Sequence, residues 1–411
     1  MTQKILVIGA GITGVCIAES LRRAGQSVTL IDRVPAGDTA QTSYGNAGLL
    51  AREGVGPILD TGIMLQLPKL LLDPNSPVKL RWSYLPRLLP WGLRVLRNGV
   101  KDRAHHIVTA MNELIYDTVE QHSTIARGTD AAQYIEKGEL TLLYRNKSDF
   151  TANKFINDAK KSVGIHWIER DLAQLKERDP ALGDAYTFGV AYPDHGWLTD
   201  PSAYVSALAR HFTQNGGDFL NREVVNIGTD RVTCAGGAEI TGDVIILATG
   251  AWSKKLAGTF GHNVPLQGER GYHILLKNPS HTPDRPYLVT DNKFGLTPMN
   301  AGLRCAGTSE FAPLDAAPSK SPIKLLQKSV RQVYPDLTWD SVETWMGHRP
   351  TTIDSLPMLG RTKAAPNVIY AFGGQHLGLT MGPKVAQIIR DIVLDTPTNI
   401  NLAPYAVDRF D

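Results

Sequence analysis

Cysteine is scarce in this chain. Its three residues, Cys16, Cys234 and Cys305, are odd in number and far apart. They form neither a disulfide framework nor a metal-ligand spacing, so a secreted disulfide scaffold and a thiolate metal centre are excluded, and a reducing, cytoplasmic setting is the simpler expectation. No other metal-binding cluster is visible. Long apolar runs are missing too. Nothing reaches the roughly 18 uninterrupted apolar residues of a membrane span, and the apolar opening is broken by Gly9 and Gly11, which makes it a strand rather than a signal peptide. Charge of one sign is also lacking: 43 basic against 40 acidic residues leave a net +3. With no Lys/Arg run, a nucleic-acid partner is not expected. There is no internal repeat and no low-complexity linker. The 411 residues, 42% apolar and 20% charged, have a globular composition with room for two or three domains.

What is present begins at Lys4. An apolar run, Ile5 to Ile8, feeds Gly9, Gly11 and Gly14, followed by the helical spacing of Val15, Ala18 and Leu21. A second apolar run, Val28 to Ile31, ends in Asp32. Strand, glycines, helix, strand and acid in that order form the dinucleotide fingerprint. Gly9 permits the tight turn, Gly11 lets backbone N–H groups of the Ile12-Thr13 region approach a pyrophosphate, and Gly14 lets helix and strand pack closely. The helix N-terminus favours the phosphate charge. Asp32 is suited to an adenosine ribose hydroxyl, with Arg33 beside it. An ordinary glycine-rich turn leaves Asp32 unexplained.

Further pieces lie far along the chain. Asp218–Ile227 reads as a strand with Val224 and Val225 framing an adenine, and Asp243–Ser253 as a buried strand ending in Ala248-Thr249-Gly250, with Trp252 just beyond. Together with the fingerprint these favour FAD over NAD. Asn367–Phe372 reads as a strand, Gly373–Gly378 as a glycine-rich turn and Leu379–Arg390 as an amphipathic helix. Such a helix N-terminus suits the flavin pyrimidine ring, because its dipole favours the negative charge that develops there on reduction. No second GxGxxG follows a strand, so the reducing equivalents are expected from an organic substrate rather than a nicotinamide.

These motifs, with Thr42-Ser43-Tyr44-Gly45-Asn46-Ala47-Gly48, Trp345-Met-Gly347-His-Arg349-Pro and Gln375-His376-Leu377-Gly378-Leu379-Thr380, resemble the D-amino-acid oxidase superfamily, most of all its D-amino-acid dehydrogenase branch. The resemblance spans nearly the whole chain. It implies an α/β fold (α+β overall), with a Rossmann-type FAD-binding domain and an interleaved mixed-sheet substrate domain. The FAD domain is expected from 1–55, 196–261 and 341–395, the substrate domain from 56–195 and 262–340, and a tail from 396–411. FAD is expected to be non-covalent, held by the glycine motifs above, Thr42, Ser43, Asn46, Ala47, Gly48, Gly347, Gly373 and Gly374. Two departures stand out: Gln375 occupies a position usually held by glycine in relatives, and His348 replaces an aromatic before Arg349.

The resemblance implies hydride transfer from a carbon bearing an amine to flavin N5, giving an imine that water hydrolyses; the flavin carries the chemistry and the protein supplies orientation. The substrate is then a D-amino acid or N-substituted amino acid. An oxygen-using oxidase of glycine, sarcosine or glyphosate type is the alternative, and an electron-relay subunit of a hetero-oligomer is a third reading. A substrate carboxylate calls for a bidentate arginine. Arg349 is the first candidate, against an ion pair with Asp354, and Arg270 the second, against neutralisation by Glu269. Tyr272 and His273 alternate along a strand, so only one can face a pocket. His376 would contact substrate or the flavin carbonyl, or simply pack in its turn. Tyr44 would lie over the flavin ring or pack ordinarily. The electron acceptor is expected to be a quinone or another respiratory-chain component, with oxygen as the alternative. Residues 63–97 mix Trp82, Tyr84, Leu88, Leu89 and Trp91 with six arginines and lysines around them, a composition suited to the inner membrane surface or to a helical layer on the substrate domain.

Overall fold

The computed structural model describes residues 2–57, 73, 75–98 and 100–410. The strand Lys4–Ile8, buried at every position after Lys4, lies inside a six-stranded sheet. The order is Met358–Arg361, Val368–Phe372, Val244–Leu247, Lys4–Ile8, Ser27–Asp32, Asp218–Asn221. Neighbours run parallel except at the Met358–Arg361 edge. Strands apolar on both faces are what a parallel sheet covered on both sides requires. The helices Ile12–Arg23 and Gly378–Val393 pack together in the main core. Gly14 has no alternative here, because a Cβ would collide with the Gly9 carbonyl oxygen.

Gly378–Val393 contains Pro383, which has no N–H for the carbonyl of Leu379. His122 supplies the missing donor. Its Nε2 lies 2.9 Å from the Leu379 oxygen, and its Nδ1 lies 2.8 Å from the Tyr204 hydroxyl. The ring is therefore the neutral Nε2–H tautomer, donating to Leu379 and accepting from Tyr204. Full burial holds its pKa down to about 4.

The second sheet has ten strands. Its long pair, Leu266–Lys277 and Ser341–Thr352, runs antiparallel in unbroken register, with Glu269 opposite Arg349, Gly271 opposite Gly347 and His273 opposite Trp345. Gly302–Phe311 pairs on the other side of Leu266–Lys277, with a register break between Arg270 and Tyr272. A separate three-stranded antiparallel meander is formed by Val224–Ile227, Arg231–Cys234 and Glu239–Thr241. The single strand expected over 218–227 is thus two strands in two sheets.

The domain borders also shift. Leu49–Leu50 and Ser341–Thr352 belong to the second sheet, and the border at 195/196 falls inside the strand Phe188–Leu198. Motifs mark where the chain nears the cofactor, and strands of either sheet reach that place. Within 63–97, residues 63–72 and 74 lie outside the described residues; the rest include the strand Val78–Leu80, which pairs with Gly302–Phe311, the short turn Trp82–Tyr84 and the helix Leu85–Asn98.

Candidate active site

At the ends of the parallel strands lies a cavity of about 540 Å³ lined by Gly9, Gly11, Ile12, Thr13, Asp32 and Arg33. Thr42, Ser43 and Asn46 line it from the next segment, Val224 and Val225 from the meander, and Ala248, Thr249, Gly250 and Trp252 from the strand end. Gly373, Gly374, Gly378 and Leu379 complete the wall, so the first residues of the helix Gly378–Val393 face it. Three distant stretches thus converge as expected. Gly14, Ala47, Gly48, Gly347, Arg349, His376, Leu377 and Thr380 do not line the cavity. Thr380 instead donates its hydroxyl to Leu49 at 3.1 Å, tying the closing helix to the second sheet.

The glycines test whether a dinucleotide fits. Gly9 has φ +106°, and a Cβ there would stand 2.5 Å from the Ala248 oxygen. Gly11 differs: its backbone is extended and its added Cβ would meet only Ser43 Oγ, at 3.3 Å. No protein contact forbids a side chain at 11, so the open space is room for a ligand to approach the backbone. Ile12 N–H donates to Ser43 Oγ at 3.0 Å, which leaves the hydroxyl proton free to donate to a phosphate. Asp32 Oδ2 accepts from Ala10 N–H at 2.6 Å and from Gln41 Nε2 at 3.2 Å. Arg33 stacks 4.7 Å above the Trp252 ring at the same end.

Beside this cavity, alternation along the long strands brings Glu269, Gly271, His273, Trp345, Gly347 and Arg349 to one face of the second sheet. Arg349 Nη1 donates to Glu269 Oε1 at 2.8 Å and to the Thr308 carbonyl at 3.1 Å. Burial raises the Glu269 pKa, but Arg349 and the Ser309 hydroxyl outweigh it and hold the carboxyl below its usual range. The surrounding protein and then the Arg349 guanidinium press His376 down to about 4, so it is neutral at pH 7. Solvent reaches the His376 ring, so the Arg349 charge carries that direction more firmly than burial does. Tyr44 and His273 stack at 6.3 Å and His273 and Trp345 at 5.2 Å, forming an aromatic wall. Gly45 and Gly347 make room for the indole, since a Cβ at either would collide with it.

Other candidates go elsewhere. Arg270 is fully buried on the opposite face, paired with Glu310 at 2.9 Å and donating to the Ala316 carbonyl. Tyr272 is buried there too, its hydroxyl donating to Glu310 and accepting from Ser319 N–H. Both are corrected from pocket residues to core ones, because the strand's alternation turns them away from Arg349. Asp354 pairs with Arg409 of the tail at 2.8 Å and 3.1 Å, not with Arg349. Three residues were not named as site candidates from the sequence. Buried Arg304 donates to the Tyr44 and Asn46 carbonyls at 3.1 Å and 2.8 Å, and burial lowers its pKa to about 10. Trp345 was visible only as part of a motif. Gln375 stands at φ +49°, which explains why glycine is usual there, and its amide donates to the Ser355 carbonyl.

A Rossmann-type sheet with a dinucleotide-sized cavity, joined to a mixed sheet that presents an arginine, defines a two-domain flavin oxidoreductase. The chain belongs to the DAO family of FAD-dependent oxidoreductases, whose model matches residues 4–392. It is 34% identical over 419 residues to a D-amino-acid oxidase of Bradyrhizobium diazoefficiens, covering 99% of each chain. It is 28% identical over 420 residues to a D-amino acid dehydrogenase of Paramagnetospirillum magneticum, again covering 99% of each. Among solved structures, glycine oxidase from Geobacillus kaustophilus superposes with a TM-score of 0.74 at 20% identity, covering 100% of both chains. L-proline dehydrogenase from P. horikoshii superposes equally at 0.74, with 18% identity, covering 100% of this chain and 98% of the other.

Proposed function

We propose that this protein oxidises the carbon–nitrogen bond of a D-amino acid or an N-substituted amino acid. Bound FAD would accept the hydride, which carries both electrons of the C–H bond beside nitrogen. The amine proton passes to solvent, and water hydrolyses the imine to an oxo acid and the free amine. Arg349 would grip the carboxylate, Tyr44, His273 and Trp345 would wall the side chain, and neutral His376 would sit beside the reacting nitrogen without repelling it. The open edge of Arg349, next to the turn Gly373–Leu377, carries this reading. The relatives named D-amino-acid oxidase and D-amino acid dehydrogenase support the substrate class. Anaerobic mixing with D-amino acids, N-substituted glycines and proline derivatives tests it: at least one should bleach the flavin, and none doing so would contradict it.

For the acceptor we favour a quinone at a membrane surface over oxygen. Among the described residues no helix is long and apolar enough to cross a membrane. Yet Trp82, Leu89 and Leu93 are each more than half exposed along the helix Leu85–Asn98 and the turn before it, with Arg87 and Arg97 exposed beside them. The inner side of this segment is pinned near the cofactor cavity, with Trp91 Nε1 donating to the Pro265 carbonyl at 3.1 Å and Tyr84 bonded to Gln267. An apolar stripe with a basic border suits an anionic lipid surface.

A further inference from the structure

The strand Leu266–Lys277 contains a glycine that its backbone does not require. Gly271 is outside the positive-φ residues, so any amino acid could adopt its conformation. Its surroundings explain it instead: an added Cβ would stand 2.6 Å from Arg349 Cζ and Nη2 and 2.8 Å from Nε. The guanidinium occupies the place of the missing side chain.

Across the strand pair, Glu269 faces Arg349. Its carboxylate is fixed by the Ser309 hydroxyl at 2.5 Å on Oε1 and the Thr351 hydroxyl at 3.1 Å on Oε2. Arg349 Nη1 meets three acceptors: Glu269 Oε1 at 2.8 Å, the Thr308 carbonyl at 3.1 Å and Ser309 Oγ at 3.2 Å. Thr308 itself holds φ +56°, a strained conformation for a β-branched residue that persists only where its surroundings fix it. Among the described residues neither Nε nor Nη2 has a hydrogen-bond partner.

We infer that Glu269 and Gly271 are positioning residues that commit one edge of Arg349 to the protein and present the Nε–Nη2 edge to a ligand, so that the site selects a planar carboxylate over a spherical anion. The inference rests on the carboxylate-clamp reading of Arg349. A two-point grip needs both N–H groups in one plane at the correct angle, and a guanidinium held there beforehand loses less freedom on binding.

The test is a comparison of acetate and chloride binding, each followed by the absorbance change of the bound flavin in the FAD-loaded protein. Gly271→Ala should lose about tenfold of the acetate-over-chloride preference while keeping its FAD, the scale of one misaligned charge-assisted bond. Glu269→Gln keeps the shape but unmasks positive charge. Chloride should then tighten more than acetate, and the preference should fall again. A purely structural ion pair predicts that both anions shift together. An unchanged preference in both variants, alongside a loss in Arg349→Lys, overturns the inference and leaves the clamp intact. An unchanged preference in Arg349→Lys, or no saturable acetate binding by the native protein, overturns the clamp and the inference with it. If Gly271→Ala fails to retain FAD, Glu269→Gln decides alone.

Discussion

Before any ligand is considered, the Asp32 carboxylate already holds the glycine turn through the Ala10 amide at 2.6 Å. A ribose hydroxyl would use its remaining lone pairs. Asp32→Ala therefore removes a ligand contact and a brace of the turn together. We expect FAD affinity to fall by about 1.5–3 kcal/mol, the scale of hydrogen bonds to a charged group, in a titration of the apo-protein; unchanged affinity would remove Asp32 from the site. The cysteines give a second expectation. Cys16, Cys234 and Cys305 are buried, none lines the cavity, and burial pushes each thiol up. Acid precipitation should leave the yellow colour in the supernatant, and colour in the pellet would contradict non-covalent binding. At this scale the cofactor half was legible because its glycines answer to geometry within a few residues. Arg349 and Arg270 were not separable, since each has a neighbouring acid in the sequence. Only the cross-strand register, which sets Arg349 opposite Glu269 and leaves Arg270 on the alternate face, sends one to the cleft and the other to the core.

Among the elements, the closing helix Gly378–Val393 depends on a residue more than 250 positions away. His122 supplies the donor that Pro383 lacks through its Nε2–H, and only the neutral ring can at the same time accept from Tyr204 at Nδ1. Its pKa is held at about 4 in the fold against an ordinary 6.5, so the unfolded chain binds the extra proton. Stability should therefore fall as pH drops below about 6.5 and stop falling from this source near 4, at most roughly 1.4 kcal/mol per pH unit. His273, held at about 3 by burial and Arg304, extends the same trend lower. Urea unfolding at pH 7, 5.5 and 4 checks this. His122→Gln should be less stable at pH 7 and show a shallower pH slope, and an equal slope would place the titration elsewhere. The helix was legible from its apolar spacing and the glycine turn before it. Its dependence on His122 was not, because Pro383 announces a missing donor without naming the replacement.

For the whole molecule, the fold class was legible because strand–glycine–helix–strand–acid fixes the parallel sheet. The interleaving was legible only in outline, since strands of the second sheet also carry cofactor-side motifs. The exposed stripe of Trp82, Leu89 and Leu93 gives a prediction at this scale. FAD-loaded protein should sediment with vesicles containing anionic lipid, and Leu89→Ser with Leu93→Ser should weaken this while leaving anaerobic flavin reduction intact. Equal sedimentation of the double variant would contradict the membrane reading.

The central claim is that Arg349 orients an amino-acid carboxylate for oxidation at the adjacent carbon. Anaerobic stopped-flow reduction of the bound flavin by the best amino-acid substrate, compared between native protein and Arg349→Ala at equal FAD content, tests it directly. Loss of a charge-assisted pair costs about 2–5 kcal/mol, so the second-order rate constant should fall roughly 30-fold to several-thousand-fold, with Arg349→Lys between the two. Reduction of the Arg349→Ala flavin at the native rate would contradict the account.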